Sequence, residues 1–403
     1  MKKIVLITTG QPSLNPRIVK EADALHKAGY SVTLLYCYWI SWATETDKRI
    51  LQEAGWNHQL VGGRPADGKT IYNFTRLRLK INRHVNKLLG NGFLIAERAQ
   101  ARCYDELLAA AKKIKADWYI GHNLGALPVA VNAARFHHAK AGFDFEDYHR
   151  GETGPGEKAI LQRIIFLENK YLSSLHYFSG ASAMITAATK KNHRGFKGVA
   201  ITLLNCFPLN QQPPFNEKKE NDTSLQLFWF SQTIGINRGL EALINALRIL
   251  NDGDIHLTLA GRCDEAMLNY ITTYAGKILS NIHFAGIIQP EELPAFAAQF
   301  DVGMAIELTV PPNRDICLTN KIFTYLLAGN AIILSETSMQ LAFNEAYKIG
   351  ESFAVNDGKA LAEKIKGYQN PEKLNVQKRH NYELANKQLN WEKESEKLLM
   401  LLR

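Results

Sequence analysis

The sequence predicts an α/β fold of parallel sheets divided between two domains, and three observations predict it. The chain opens as strand, helix, strand: Ile4–Thr9 is an unbroken apolar run, Asn15 and Pro16 start a helix, and Val32–Tyr36 is a second apolar run. The same alternation restarts at Leu225–Phe230, after a stretch rich in Pro, Asn and charge. At 403 residues the chain is long enough for two units that each bury a core.

Composition narrows the function classes. A hydrophobic content of 46% with 22% charged residues describes an ordinary globular protein. Cys37, Cys103, Cys206, Cys263 and Cys317 are far apart and lack metal-ligand spacing, so they read as free thiols of a reducing compartment. The opening apolar run is broken at once by Gly10 and Pro12, which makes it a first strand and not a signal peptide. No apolar stretch approaches the roughly 20 residues of a spanning helix. These features predict a cytoplasmic protein. A net charge of +9 calls for an anionic partner: nucleic acid, a membrane surface or a phosphorylated substrate. Nothing matches a module that reads DNA or RNA, so no nucleic acid is expected.

In the first half, Asn15 supplies a helix N-cap and Pro16 the first helical position. Ile18, Ala22, Leu25 and Ala28 share one helical face, and Gly29 ends the helix. The turn before it, TTGQPSLNPR, lacks the glycine fingerprint of a dinucleotide site, which disfavours a nicotinamide or flavin enzyme. Lys69–Arg102 is basic, with Glu97 its single acid. On a helix, Leu77, Ile81, Val85 and Leu88 form an apolar stripe, and Arg76, Lys80, Arg83 and Lys87 a basic stripe beside it. Such a helix can lie on an anionic lipid surface or pack on its own domain.

Asp117–Ile120 reads as a strand ending in Gly121-His122-Asn123-Leu124-Gly125. That places His122 at the carboxyl end of a strand, in a cleft and not in a core. Ala141–His149 gathers Asp144, Glu146, Asp147 and His149 at the end of another strand. Paired carboxylates can do acid–base work or, with His137 and His138, hold a metal. Strand alternation puts Asp144 and Glu146 on one face and Asp147 on the other, and no metal site is predicted. Glu152 and Glu157 lie in the glycine-rich GETGPGE that follows. Ile160–Ser173 is helical, and Tyr177–Thr186 and Ile201–Asn205 read as the last strands of this half.

In the second half, Leu240, Leu243, Ile244, Leu247 and Leu250 make an amphipathic helix, with Arg238 just before it. Ile255–Gly261 is the next strand. Val302–Ile306 and Ala331–Leu334 are strands flanking a helix whose first turn carries Asn320 and Lys321. The loop between, residues 307–319, is polar and holds Pro311, Pro312 and Arg314. In a parallel sheet ligands sit beyond the carboxyl ends of the strands, and a helix N-terminus there favours a phosphate. Leu389–Leu402, bearing Trp391, closes the chain as a helix.

FAGIIQPEELPAFAAQFDVGMA resembles the segment preceding the donor-sugar loop in retaining nucleotide-sugar glycosyltransferases of family 4 and its relatives. TNKIFTYLLAGNAIILSE is similar to the helix and strand after that loop, LLNCFPL to the strand leaving the first domain, and NWEKESEKLL to the closing helix. The resemblance implies a GT-B architecture of two Rossmann-like domains with the active site in the cleft between them. Its parts are an acceptor domain at 1–205, a linker at 206–224, a donor domain at 225–388, and a helix at 389–403 that crosses back. It implies sugar transfer, with retention, from a nucleotide diphosphate sugar to a hydroxyl of a glycan or lipid-linked acceptor, in cell-surface polysaccharide or glycoconjugate synthesis. The nucleotide sugar is a co-substrate, and no cofactor or metal is implied.

The same resemblance assigns His122 and Glu307 to the reaction centre. It assigns Arg238, Gly261, Ile287 and Thr324 to the donor, to which the polar loop and helix N-terminus add Arg314, Asn320 and Lys321, and it assigns Gly10, Asp144 and Glu146 to the acceptor side. A lipid-linked acceptor would bring Arg76, Lys80, Arg83 and Lys87 to the inner face of the cell membrane. The chain also departs from the family. Of two cations that reach the diphosphate, one falls on Thr233 and the other on Arg238. Of two glutamates around the donor loop, the first falls on Ile316 and the second on Thr324, with Glu307 or Asp315 as substitutes for the first. That departure keeps two alternatives open: a non-catalytic nucleotide-sugar or glycan-binding member, and a nucleotide-sugar epimerase.

Overall fold

The apolar runs become parallel strands with helices on their flanks. The computed structural model describes residues 1–154, 156–219 and 221–403. The first sheet contains β1 (Lys3–Thr8), β2 (Ser31–Cys37), β3 (Asn57–Val61), β4 (Trp118–His122), β5 (Lys140–Phe145), β6 (Tyr177–Gly180) and β7 (Val199–Thr202). The second contains β8 (Leu225–Ile234), β9 (Ile255–Cys263), β10 (Ile282–Gly286), β11 (Val302–Ala305), β12 (Ala331–Ser335) and β13 (Gly350–Phe353). Their orders are β3-β2-β1-β4-β5-β6-β7 and β10-β9-β8-β11-β12-β13, and neighbouring strands pair in parallel throughout. Each order reverses beside its first strand, between β1 and β4 and between β8 and β11. In such sheets the crevice at the reversal, outside the carboxyl ends, is where ligands bind.

The chain divides into Met1–Leu203 with Lys397–Arg403, and Leu204–Glu396. In the first unit the Pro16–Lys27 helix begins as its sequence requires, the Asn15 side chain accepting the Ile18 N–H at 3.1 Å. Its Ile18, Ala22 and Leu25 bury against Ile4, Leu6, Leu34 and Ile120, and Leu398 and Leu402 of the Trp391–Leu402 helix complete that core. In the second unit Leu240, Leu243 and Leu247 cover Leu227, Trp229, Leu257 and Met304. Each such side chain, fully buried, contributes about 1.5–3 kcal/mol.

Some local expectations need correction. Tyr177–Thr186 is not one strand: β6 stops at Gly180, and Ser182 caps the Ala183–Asn192 helix by accepting the Ile185 N–H at 3.0 Å. The cap outweighs the β tendency of the run. The edge strand β3 escapes a reading by apolar runs because Asn57, His58 and Gln59 are exposed. The basic stretch is a Lys69–Leu89 helix, a break at Gly90, and an Ile95–Gln100 helix. Much of the segment at 206–224 is pinned inside its unit. Tyr382 Oη donates to the Pro213 carbonyl at 3.0 Å, and Lys218 Nζ lies 3.0 Å from Asp301. Among the described residues no helix is long and apolar enough to cross a membrane.

Candidate functional site

The reversal between β8 and β11 is built around a loop that needs two unusual backbone conformations. Gly239 has φ +81°, and a Cβ there would meet Ile306 Cγ2 at 2.4 Å, so the loop presses against the chain leaving β11. Asn237 has φ +61°, and its N–H donates to Glu241 Oε1 at 2.7 Å. Arg314 Nη1 donates to the Asn237 carbonyl at 3.0 Å, tying this loop to the one after β11. Between Asn237 and Gly239 stands Arg238, partly exposed and with no hydrogen bond or ion pair among the described residues.

Glu307 leaves β11 locked to the end of β12. Its N–H donates to Ser335 Oγ at 2.8 Å, and Ser335 Oγ donates back to the Glu307 carbonyl at 2.8 Å. Its carboxylate accepts from Lys321 Nζ at 2.6 Å, and the ammonium also sits 5.3 Å from the centre of the Trp229 ring. Both members of the pair are buried. Lys321 lies in the first turn of the Asn320–Ala328 helix, whose N-cap Thr319 makes no side-chain cap and has a buried hydroxyl without a partner among the described residues. Exposed Asn320 accepts from Asn205 Nδ2 at 2.7 Å. One carboxyl edge thus holds an unpaired guanidinium, an ammonium and a helix N-terminus without a side-chain cap, a set suited to a diphosphate.

Two neighbouring turns share that edge. Gly261 has φ +137°, and a Cβ on it would lie 2.1 Å from the Ser231 carbonyl oxygen, so only glycine lets β9 pass the irregular end of β8. Gly286, φ +72°, turns the chain out of β10 and leaves Ile287 exposed. Thr324 does not join this set: it is buried, and its hydroxyl donates to the Asn320 carbonyl at 3.0 Å. Asp315, the other candidate substitute for the first glutamate, is engaged within the fold. Its carboxylate caps the Ser338–Tyr347 helix, accepting the Ser338 N–H at 2.9 Å and hydroxyl at 2.6 Å.

In the first unit, the β1/β4 reversal carries a polar row. Thr8, His122, Asp144 and Ser179 stand in register across four strands. Arg17 and Glu21, one helical turn apart, reach it from the Pro16–Lys27 helix. Arg17 grips Asp144 through Nε at 2.7 Å and Nη2 at 2.9 Å, while His122 Nε2 lies 3.1 Å from Glu21 and Nδ1 3.6 Å from Asp144. All four side chains are buried. Burial pulls the His122 pKa down, but Glu21 and Asp144 outweigh it and hold it above the usual imidazole value. Burial likewise opposes ionisation of Asp144, yet Arg17 and His122 hold its carboxyl below the ordinary range.

His122 therefore reaches its strand end as expected but lies in the core and not open in a cleft, and the Asp144 carboxylate is already committed to Arg17. The missed residues left a signal: Arg17 and Glu21 border the Ile18, Ala22, Leu25 face, where charge is out of place. Glu146 is partly exposed, and its carboxyl is pushed up to about 7 by burial, then by Asp147 and Asp144. Gly10 lies at the same carboxyl edge, its carbonyl accepting the Cys37 N–H at 3.0 Å. His149 bonds Glu152 at 2.9 Å. Among the described residues no group of His, Cys, Asp and Glu could hold a metal ion. Arg76, Lys80, Arg83 and Lys87 are all exposed, although Arg83 Nε is turned to the Ala99 carbonyl at 3.2 Å.

Against known proteins, neither a protein-family model nor a curated sequence matches the chain. Solved structures do. Anabaena HepE in complex with UDP and glucose superposes with a TM-score of 0.68 at 13% identity, covering 100% of this chain and 99% of that one. Sucrose-phosphate synthase from Thermosynechococcus elongatus gives 0.70 at 14% identity, covering 100% and 98%. A single-residue mutant of S. aureus TarM, in complex with Fondaparinux, alpha-GlcNAc-glycerol and UDP, gives 0.67 at 10%, covering 100% of both chains. The chain has the GT-B fold. Its two parallel sheets with flanking helices are those of these structures, and at such identities the likeness speaks for the fold alone.

Proposed function

We propose that the protein is a glycosyltransferase that moves a sugar from a nucleotide diphosphate sugar to a hydroxyl of a glycan or lipid-linked acceptor. The observation that carries the reading is Arg238: a partly exposed guanidinium at the β8/β11 reversal, without a partner among the described residues, on the same carboxyl edge as Lys321 and a helix N-terminus that lacks a side-chain cap. Transfer separates a diphosphate leaving group from a sugar that gains positive character at its anomeric carbon. Cations and backbone N–H groups fixed at the phosphates stabilise that separation. Arg238 supplies two parallel donors, and Lys321 supplies a point charge now neutralised by Glu307. A bound phosphate would compete with Glu307 for Lys321 and release the carboxylate toward the sugar hydroxyls.

Support for the donor class comes from HepE, whose structures hold UDP, UDP with glucose, and UDP-glucose. On this reading the two cations do without a metal, Gly261 and Ile287 border the nucleoside, and transfer proceeds with retention, as the sequence resemblance implies. Glu146, with its carboxyl near neutrality, is the group of the first unit suited to take the proton of the acceptor hydroxyl. Cell-surface polysaccharide or glycoconjugate synthesis is the setting in which such an activity is expected.

A second reading, a non-catalytic nucleotide-sugar-binding protein, is favoured by Ile316 and buried Thr324 at the positions of the family's two glutamates. The test is a thermal-shift panel of UDP-, GDP-, ADP- and dTDP-sugars, with and without EDTA, followed by mass spectrometry of products with and without glycan acceptors. Ligand at about a hundred times its dissociation constant stabilises the native state by about 2.7 kcal/mol. Stabilisation by one nucleotide class, unchanged by EDTA and followed by acceptor-dependent product, is the expected result. Stabilisation without turnover selects the second reading, acceptor-free conversion an epimerase, and no stabilisation by any member of the panel overturns all three.

A further inference from the structure

The Lys69–Leu89 helix is attached to its unit the wrong way round for a helix of a globular protein. Its polar side faces inward. Arg78 Nη1 donates to Glu106 at 2.9 Å, Thr75 Oγ1 accepts from buried Arg102 at 2.7 Å, and buried Asn86 accepts from Arg163 at 3.1 Å. The apolar stripe faces out: Phe74, Leu77, Ile81 and Leu88 are 58%, 58%, 52% and 72% exposed. Beyond the end of the helix Phe93 is 97% exposed. Contiguous apolar surface of this kind marks an interaction face, because a helix with a free choice would bury it.

Charge identifies the partner. The helix contains Lys69, Arg76, Arg78, Lys80, Arg83 and Lys87 and no Asp or Glu. Lys80 and Lys87 are exposed and make no hydrogen bond or ion pair among the described residues, and they flank the apolar stripe. A second copy of the chain would set this acid-free face against itself, since a two-fold interface pairs a patch with its own image. Nucleic acid would satisfy the lysines and leave the aliphatic stripe in water. An anionic bilayer satisfies both, taking the apolar side chains below its headgroups and the ammonium groups at its surface. Trp39 and Trp42 add to the same end of the molecule. Both are exposed in the loop after Tyr38, whose ring meets that of Tyr72 edge-on at 5.6 Å. Tryptophan is enriched at membrane interfaces.

We infer that the outward face of the Lys69–Leu89 helix docks the protein on an anionic lipid surface. The inference rests on this helix and the exposed aromatic residues near it, and it stands apart from the donor reading. The test is flotation of the full chain with vesicles of phosphatidylcholine, or of phosphatidylcholine mixed with phosphatidylglycerol, at low and high salt. The chain floats with the mixed vesicles at low salt, and the Leu77→Ser, Ile81→Ser double variant stays at the bottom. Because both side chains are exposed, that variant keeps the far-UV circular dichroism and melting temperature of the parent. Lys80→Ala and Lys87→Ala each lower partitioning about fivefold. Failure of the parent to float with mixed vesicles, or equal flotation by the Leu77→Ser, Ile81→Ser variant, overturns the inference. A dimer in sedimentation velocity that this variant splits, without flotation, overturns it in favour of a second copy. Salt-sensitive retention on RNA without flotation overturns it in favour of nucleic acid. UDP-sugar binding measured on the same samples keeps this outcome separate from that of the donor site.

Discussion

Lys321 Nζ lies 2.6 Å from Glu307 Oε1, and the pair is buried where β11 gives way to the polar loop at 307–319. The geometry sets two demands against each other. The Glu307 carboxylate is bonded to the Lys321 ammonium, and a bound diphosphate would need the same ammonium.

Removing the cation should therefore damage both folding and binding. Lys321→Ala is expected to lose about 3–5 kcal/mol of stability in urea unfolding, because it leaves a buried carboxylate unpaired. Glu307→Gln keeps the shape and frees the ammonium, so UDP should bind more tightly by calorimetry. Weaker UDP binding by Glu307→Gln would show that the carboxylate helps the ligand instead of competing with it.

Arg238 presents the opposite case, a cation with nothing to lose in the fold. Arg238→Ala should cost about 1.5–3 kcal/mol in UDP binding, the range for a charge-assisted hydrogen bond, and leave stability within about 0.5 kcal/mol. Arg238→Lys should recover only part, since it keeps the charge and loses the two-pronged geometry. Arg314→Ala, which removes the tie to the Asn237 carbonyl, should weaken binding less than Arg238→Ala does. Calorimetry showing parental affinity in Arg238→Ala would remove the phosphate role.

The Arg17–Asp144 pair and His122 predict how the first unit responds to pH. Asp144 has a depressed pKa, so its contribution is present above the ordinary carboxylate range and is lost as pH falls through the lowered value. His122 has a raised pKa, so its contribution is full below the ordinary imidazole value and is lost as pH rises through the raised one. Melting temperature against pH should decline on both sides of a maximum. Arg17→Met should cost about 3–5 kcal/mol at that maximum. It should also bring the acid-side decline to higher pH, because Asp144 then loses the charge that keeps it ionised.

Much of this was legible in the sequence because parallel strands covered on both faces need unbroken apolar runs. Ile4–Ile7 and Ala331–Leu334 could hardly be anything else. The place of the proposed phosphate-binding cations was legible for a related reason. Arg238 follows β8 just before a helix and Lys321 lies in the first turn of the helix after the 307–319 loop, and topology fixes where such positions lie. Side-chain burial was not legible. His122 and Asp144 look like site residues from their place at strand ends, and only the approach of Arg17 and Glu21 from another element encloses them. The surroundings of Thr324 were not legible either, because alignment fixes a helical position but not the side-chain bond back to Asn320. The Lys69–Leu89 helix shows the same limit in reverse: the pattern revealed two stripes, and the partners of Thr75, Arg78 and Asn86 decided which one faces outward.

Glu146 separates stability from chemistry in one residue. Its carboxyl is raised from 4.5 to about 7, first by burial and then by Asp147 and Asp144. A raised carboxyl pKa means that its contribution is full below about 4.5 and is lost as pH rises through about 7, where the ionised form meets its acidic neighbours. Glu146→Gln removes that penalty. At pH 8 the variant should gain about 1–2 kcal/mol in urea unfolding, a figure reduced for the partial exposure of the group, and at pH 4 it should match the parent. If Glu146 also takes the acceptor proton, turnover should fall in Glu146→Gln while UDP affinity stays unchanged. The parent's rate should then rise with pH through about 7 as the carboxyl ionises. A variant that gains stability at pH 8 and keeps parental turnover would confine Glu146 to the electrostatics of the fold. One that gains no stability would instead contradict the raised pKa on which both expectations depend.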